Sequence, residues 1–228
     1  FTAVSAFSGN KKSAIKDNSV LTFDFKTNII DSPTEDNDDI FDFSEKETNV
    51  LVYDMVEAIK KAKTDEKIKG ISIETDGLRA GMTHLDAVRT ALQDFKKSGK
   101  FVYAYGNNVS QPAYYLGSVA DEYFLNPAGG IELKGLSTEV LYMKSFTEKF
   151  GIGTEIIRHG KYKSAVEPFM RDDMSPENKE QISTMLNDLW SNNATKIAAS
   201  RKINANQFKT VVDSLYGIIP DLSLKYKL

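Results

Sequence analysis

Apolar residues along the chain switch between two spacings. Residues 20–25, Val-Leu-Thr-Phe-Asp-Phe, alternate as a half-buried strand does. Residues 68–74 carry three isoleucines in a short run, which predicts a buried strand, and residues 101–105, 122–126, 137–142 and 154–158 predict further strands. Gly129-Gly130 lies between the runs at 122–126 and 137–142. Between these runs the spacing widens to that of a helix. Leu51, Met55, Ile59 and Ala62 line one face of a predicted helix over 49–63, capped by Thr48, with lysines in its last turn where the helix dipole favours them. Leu85, Val88, Leu92 and Phe95 define a second helix, capped by Thr83 and stopped by Gly99. Residues 76–81 form a turn before it. Shorter helices are predicted near 112–119 and over 144–150. Ser175-Pro176-Glu177 is a helix start of cap, proline and acid. That helix runs to about Arg201 on Ile182, Met185, Leu186, Leu189 and Ile197, and a last one covers 204–214. Strands alternating with helices imply an α/β layer fold with a largely parallel sheet.

Composition narrows the chemistry. The chain has 228 residues, 41% hydrophobic and 27% charged, with a net charge of -3. That suits a sizeable core and shows no basic excess for a nucleic-acid partner. It has no cysteine, which excludes disulfides, thiol nucleophiles and cysteine-ligated metals. Residues 31–47 are dense in Asp and Glu around Pro33 and read as a solvated loop; the glycine and distal glutamate of a calcium loop are missing. His84 and His159 are the two histidines, and they read as surface or capping residues. There is no Gly-x-Ser-x-Gly elbow, Walker motif or Gly-x-Gly-x-x-Gly, so neither a cofactor nor a metal is expected. No run reaches the ~18–20 apolar residues of a membrane span. Phe1 and Leu228 both read as cut ends of something longer.

One segment carries candidate chemistry: Arg158-His-Gly-Lys-Tyr-Lys-Ser-Ala-Val-Glu-Pro-Phe-Met-Arg-Asp-Asp-Met174, where apolar and aromatic residues flank Lys163. A lysine is a general base only when neutral. Its ordinary pKa of about 10.4 must then fall to roughly 7–8, through burial or nearby positive charge. A shift of about 3 units is roughly 4 kcal/mol of differential interaction. From the residues alone, Lys161 and Lys163 read as two solvated loop lysines, with such a base as the alternative.

Tyr162-Lys-Ser-Ala-Val-Glu-Pro-Phe169 and Arg171-Asp-Asp-Met-Ser-Pro176 closely resemble the lysine-bearing segment of the signal peptide peptidase A (protease IV) family. Val102–Gly106, Ser110–Leu116 and Tyr142–Ser145 extend the likeness over nearly the whole chain, as in the N-terminal half of the long-form members. The resemblance implies the caseinolytic-protease and crotonase fold of repeated β-β-α units, here as one domain over 1–228. It implies a serine endopeptidase that degrades cleaved signal peptides with a Ser-Lys dyad. Lys163 would be the base, and the C-terminal half of the same protein would supply the serine. It also implies a homotetramer at the bacterial inner membrane, with its soluble part on the periplasmic side and its anchor before Phe1.

Aligned on Tyr114-Tyr115, Gln111 stands where a catalytic half has its serine. Ser110 is one residue early, a rotation of about 100° on a helix. Where a catalytic half has Pro-Gly-Gly for the oxyanion, this chain has Arg79-Ala-Gly-Met82. The chain alone is therefore expected to be inactive. A non-catalytic scaffold half is the alternative from another class. A crotonase-like acyl-coenzyme A enzyme is a third, resting on fold analogy alone.

Overall fold

The structure is a computed structural model that describes residues 3–5, 15–26, 28–33, 49–157, 159–160 and 162–228. The chain divides into two compact units, residues 1–134 with 196–228, and residues 135–195.

The first unit is built on a parallel sheet in the order β1-β2-β5-β7-β8: Ala3–Ser5, Ser19–Asp24, Ile68–Glu74, Phe101–Val109 and Glu122–Ile131. Its register lines up two apolar rows. Leu21, Ile71 and Val102 form one, and Phe23, Ile73 and Ala104 the next, all buried. Each large aliphatic or aromatic side chain buried in these rows contributes about 1.5–3 kcal/mol. The opposite face is partly open, and the Phe101 ring lies where a side chain on Gly70 would point. A smaller parallel sheet, β4-β3-β6, joins Asn49–Leu51, Asn28–Ile30 and Arg79–Ala80.

Two helices pack side by side, α1 (Val52–Thr64) also against β5 and α2 (Met82–Lys96) also against β7. α1 buries Met55, Ile59 and Ala62, and α2 buries Leu85, Val88, Leu92 and Phe95, the faces that the spacing predicts. Both starts differ from expectation. Asn49–Leu51 is a strand, because Val50 is buried and pairs with Ile29, so α1 begins three residues late. Leu51 precedes α1 without a side-chain cap, and Thr48 lies outside the described residues. Gly81 occupies the cap position of α2, which leaves Thr83 inside its first turn. Gly99 does close the helix region with a positive φ of 79°.

α3 (Gln111–Gly117) follows β7 directly. β8 runs past the expected end at Asn126, through Gly129 and Gly130, to Ile131. A Cβ at Gly129 would meet the Asn107 carbonyl oxygen at 1.9 Å, and one at Gly130 the Ile218 carbonyl oxygen at 2.7 Å. These glycines let two backbones approach the strand. α7 (Ala205–Asp213) starts at Asn204, whose side chain accepts from Gln207 N at 2.8 Å. α8 (Pro220–Lys225) packs against β8.

The second unit holds α4 (Lys144–Lys149), a 3-10 turn over Ser164–Val166, α5 (Glu167–Met170) and most of α6 (Pro176–Arg201). The strands expected over 137–142 and 154–158 do not form: residues 137–142 and 154–157 pair with nothing as strands, and Arg158 lies outside the described residues. An extended run makes a strand only beside an edge that can pair with it. Of the acidic stretch, Asp31, Ser32 and Pro33 are described and 34–47 lie outside. Among the described residues no helix is long and apolar enough to cross a membrane.

Candidate functional site

Two places answer to the candidate chemistry, one in each unit. In the first unit, β7 passes into α3 at Ser110. Ser110 is extended, at φ -67° and ψ 158°, and its hydroxyl accepts from Ala113 N at 3.4 Å. It is a helix cap. Gln111 is the first helical residue, as the Tyr114-Tyr115 alignment expects, and its Oε1 accepts from Lys134 N at 3.1 Å. A carboxamide has no nucleophilic hydroxyl to offer at this position. A cavity of about 430 Å³ opens beside this turn, between the ends of β7 and β8, with Ser110 and Ile218 in its wall. The stretch Arg79-Ala-Gly-Met82 splits between elements. Arg79 and Ala80 pair with β3, and Gly81-Met82 begins α2. His84 stands in the first turn of that helix, 4.0 Å from Asp31.

Behind α3 lies a buried polar network that residue patterns alone did not single out. Arg89 occupies the apolar face of α2 yet is fully buried. It donates to Ser118 Oγ at 2.9 Å, Lys196 O at 2.8 Å, Ser200 Oγ at 2.7 Å and, closely, to Tyr115 O. Its guanidinium carbon lies 4.7 Å from the centre of the Tyr115 ring. Asp86, one turn earlier, accepts from Tyr115 OH at 2.5 Å and from Lys196 Nζ at 2.6 Å. The bond from Lys196, then that from Tyr115, holds the Asp86 carboxyl below the usual range. The same bond raises Lys196. The network ties α2, α3 and the end of α6 together. The available signal was an arginine between Val88 and Leu92 on an otherwise apolar face.

In the second unit, Lys163 is exposed, at φ -93° and ψ 79°, immediately before the 3-10 turn of Ser164–Val166. Lys161 lies outside the described residues. The segment after Lys163 is held firmly. Glu167 N donates to Ser164 O and closes the turn, and Arg171 N donates to Glu167 O at 2.9 Å and closes α5. The Glu167 carboxylate, 0% exposed, accepts from Ser175 Oγ at 2.5 Å, Ser175 N at 3.2 Å and Asn178 Nδ2 at 3.2 Å. Ser175 Oγ in turn accepts from Asn178 N at 3.2 Å and caps α6, as Ser175-Pro176-Glu177 predicts. Met143 N donates to Pro168 O at 2.6 Å, and Ser145 Oγ to Asp172 Oδ1 at 2.5 Å, which fastens α4 to the same segment. The Ser145 hydroxyl lowers the Asp172 carboxyl.

The parallel α/β architecture is of the caseinolytic-protease and crotonase type. The pattern of peptidase family S49 matches residues 94–215. The chain belongs to that family. It is 38% identical over 182 residues to Protease 4 of Salmonella typhi, covering 78% of this chain and 29% of that protein. It is 39% identical over 176 residues to Protease 4 of Haemophilus influenzae (74% and 29%). It is 36% identical over 132 residues to the chloroplastic serine protease SPPA of Arabidopsis thaliana (58% and 20%). The chain thus spans less than a third of the length of each of these relatives.

Proposed function

We propose that this chain is the lysine-bearing half of a serine endopeptidase that degrades cleaved signal peptides, with Lys163 as general base of a Ser-Lys dyad. The observation that carries the reading is the Tyr162–Phe169 match together with the turn that presents Lys163. The serine comes from the C-terminal half of the same protein, because Gln111 stands at the corresponding helix start here and the Ser110 hydroxyl is used as a cap. In the reaction the neutral Lys163 amine takes the serine proton as the oxygen attacks the scissile carbonyl. The protonated amine then gives that proton to the departing peptide nitrogen. The apolar walls that keep the amine neutral are supplied by the partner half or a neighbouring subunit.

The intact protein is a homo-oligomer, a tetramer by family resemblance, held at the bacterial inner membrane with this part on the periplasmic side. The apolar side chains that the second unit exposes, among them Phe146, Phe150, Met185 and Leu189, support such an assembly. Substitution in the full-length protein tests the reading. Lys163→Ala abolishes peptide hydrolysis while the protein still folds and assembles, and Lys161→Ala leaves activity within a few-fold. The isolated chain shows no turnover and takes no fluorophosphonate label on serine. The scaffold reading is favoured by the missing nucleophile at Gln111, and near-normal turnover of Lys163→Ala would make it the better account.

A further inference from the structure

The buried groups of the second unit are polar. Among its described residues, Thr147, Glu167, Ser175 and Asn178 are buried, and no apolar side chain joins them. A carboxylate withdrawn from water costs several kcal/mol unless its oxygens are met by donors. Those of Glu167 are met, by a hydroxyl, a backbone N–H and a carboxamide. All three donate, as an ionised carboxylate requires. An apolar residue would fill this space without fixing direction, since hydrophobic packing tolerates repacking. Hydrogen bonds to a single carboxylate fix both the distance and the orientation of the turn that carries it.

The turn in question leads straight to Lys163. One closed hydrogen bond, Glu167 N–H to Ser164 O, spans the residues between the two side chains. On the other side the carboxylate grips Ser175 and Asn178 at the start of α6, a helix of 26 residues. We propose that Glu167 is a positioning residue for Lys163, its buried carboxylate locking the lysine-bearing turn to the first turn of α6. This rests on the reading of Lys163 as the base. A base displaced by about 1 Å costs on the order of 100-fold in rate. The grip of Glu167 on α6 guards against such a displacement.

The test uses the full-length enzyme with a peptide substrate. Glu167→Ala lowers kcat on the order of 10–100-fold while KM stays within about 2-fold, because the loss falls on the reacting geometry rather than on substrate binding. Glu167→Gln keeps a carbonyl oxygen for Ser175 and recovers at least half of that loss on a logarithmic scale. A Glu167→Ala enzyme with kcat within 2-fold of the parent overturns the proposal, whatever its melting temperature. So does a loss confined to KM. If Glu167→Ala does not fold, Asn178→Ala is read in its place. It removes one donor and leaves the Ser175 bonds, and it should lower kcat about 3-fold at constant KM; an unchanged kcat there overturns the proposal equally. Lys163→Cys, followed by aminoethylation with 2-bromoethylamine, separates this failure from that of the underlying reading. This chain has no other cysteine, and any in the rest of the full-length enzyme are first replaced by serine. Activity lost in Lys163→Cys and restored by the new amine supports the base on which the proposal stands. A Lys163→Cys enzyme that is active before treatment removes both.

Discussion

The two units solve the problem of holding a chain together in opposite ways. The first buries Ile71, Ile73, Leu85, Leu92 and Val102 around a parallel sheet, and its deeply buried Arg89 is wrapped in oxygen acceptors. The second buries a carboxylate, two hydroxyls and a carboxamide, and turns Phe146, Phe150, Ile157, Met185 and Leu189 outward. α6 shows the contrast along one helix. Ile197 and Ala198, near its end, are fully or nearly buried, whereas Met185 and Leu189 are 53% and 52% exposed. An apolar core gives stability that grows with area and is indifferent to exact direction. A polar one gives little net stability and much directional constraint. The first arrangement suits a scaffold; the second suits a segment that must present one side chain at a fixed angle.

The contrast breaks most visibly at Arg89. Arg89→Met fills similar volume but removes the donor that Ser118 Oγ, Ser200 Oγ and Lys196 O share, and leaves Tyr115 O only the Ser118 hydroxyl. Leaving a buried acceptor of this kind unmet costs about 1–3 kcal/mol. Urea unfolding of the variant beside the parent measures it. A loss below about 1 kcal/mol would mean that the apolar surroundings, and not the hydrogen bonds, hold α2, α3 and α6 together.

A smaller effect sits on the rim of the same network and depends on pH. Asp86 has its carboxyl lowered by the bonds from Lys196 and Tyr115. A carboxyl lowered in the folded state adds stability above its unfolded value, about 3.9, and that contribution disappears as pH falls through the folded value. Asp86 is nearly half exposed, so its contribution is at most about 1 kcal/mol. Asp86→Asn should therefore melt below the parent at pH 7, and the gap should close as pH is lowered from about 4. Lys196 is raised by the same bond, so its share is present below about 10.4 and lost as pH rises through its higher folded value. A gap between parent and Asp86→Asn that persists unchanged at pH 2 would assign the effect to packing.

Much of the first unit was legible in sequence because its elements answer to periodicity. The strand at 68–74 and the buried faces of α1 and α2 follow from spacing alone. What spacing misses is pairing. Asn49–Leu51 reads as the start of a helix and becomes a strand because β3 lies beside it, and β8 runs past its expected end at Asn126 through Gly129-Gly130, where two backbones meet it. In the second unit the misses run the other way: residues 137–142 read as a strand but pair with no other strand. At the candidate site, Gln111 at the start of α3 and Ser175 at the start of α6 were both legible, because helix starts have local chemistry. Glu167 was not. A glutamate between Val166 and Pro168 gives no sign of burial until Ser175 and Asn178 are folded against it.

The finest form of the comparison lies on α6, where the helical spacing predicts a single apolar face from Ile182 to Ile197. Spacing says which side chains share a face and not what covers it. In this chain the face is covered at Ile197, which is 0% exposed, and open at Leu189. Truncating a buried isoleucine removes its transfer energy and leaves a cavity, so Ile197→Ala should cost about 2–5 kcal/mol. Leu189→Ala removes surface that water already reaches, and alanine is the better helix former, so the isolated chain should change by less than about 0.5 kcal/mol. The two variants share one helix and the same small replacement, so their difference isolates burial from helix propensity. Denaturant unfolding of both variants reads that difference directly. Equal losses would mean that the second unit holds a packed apolar core around Leu189, and the division into an apolar scaffold and a polar, lysine-presenting segment would fail.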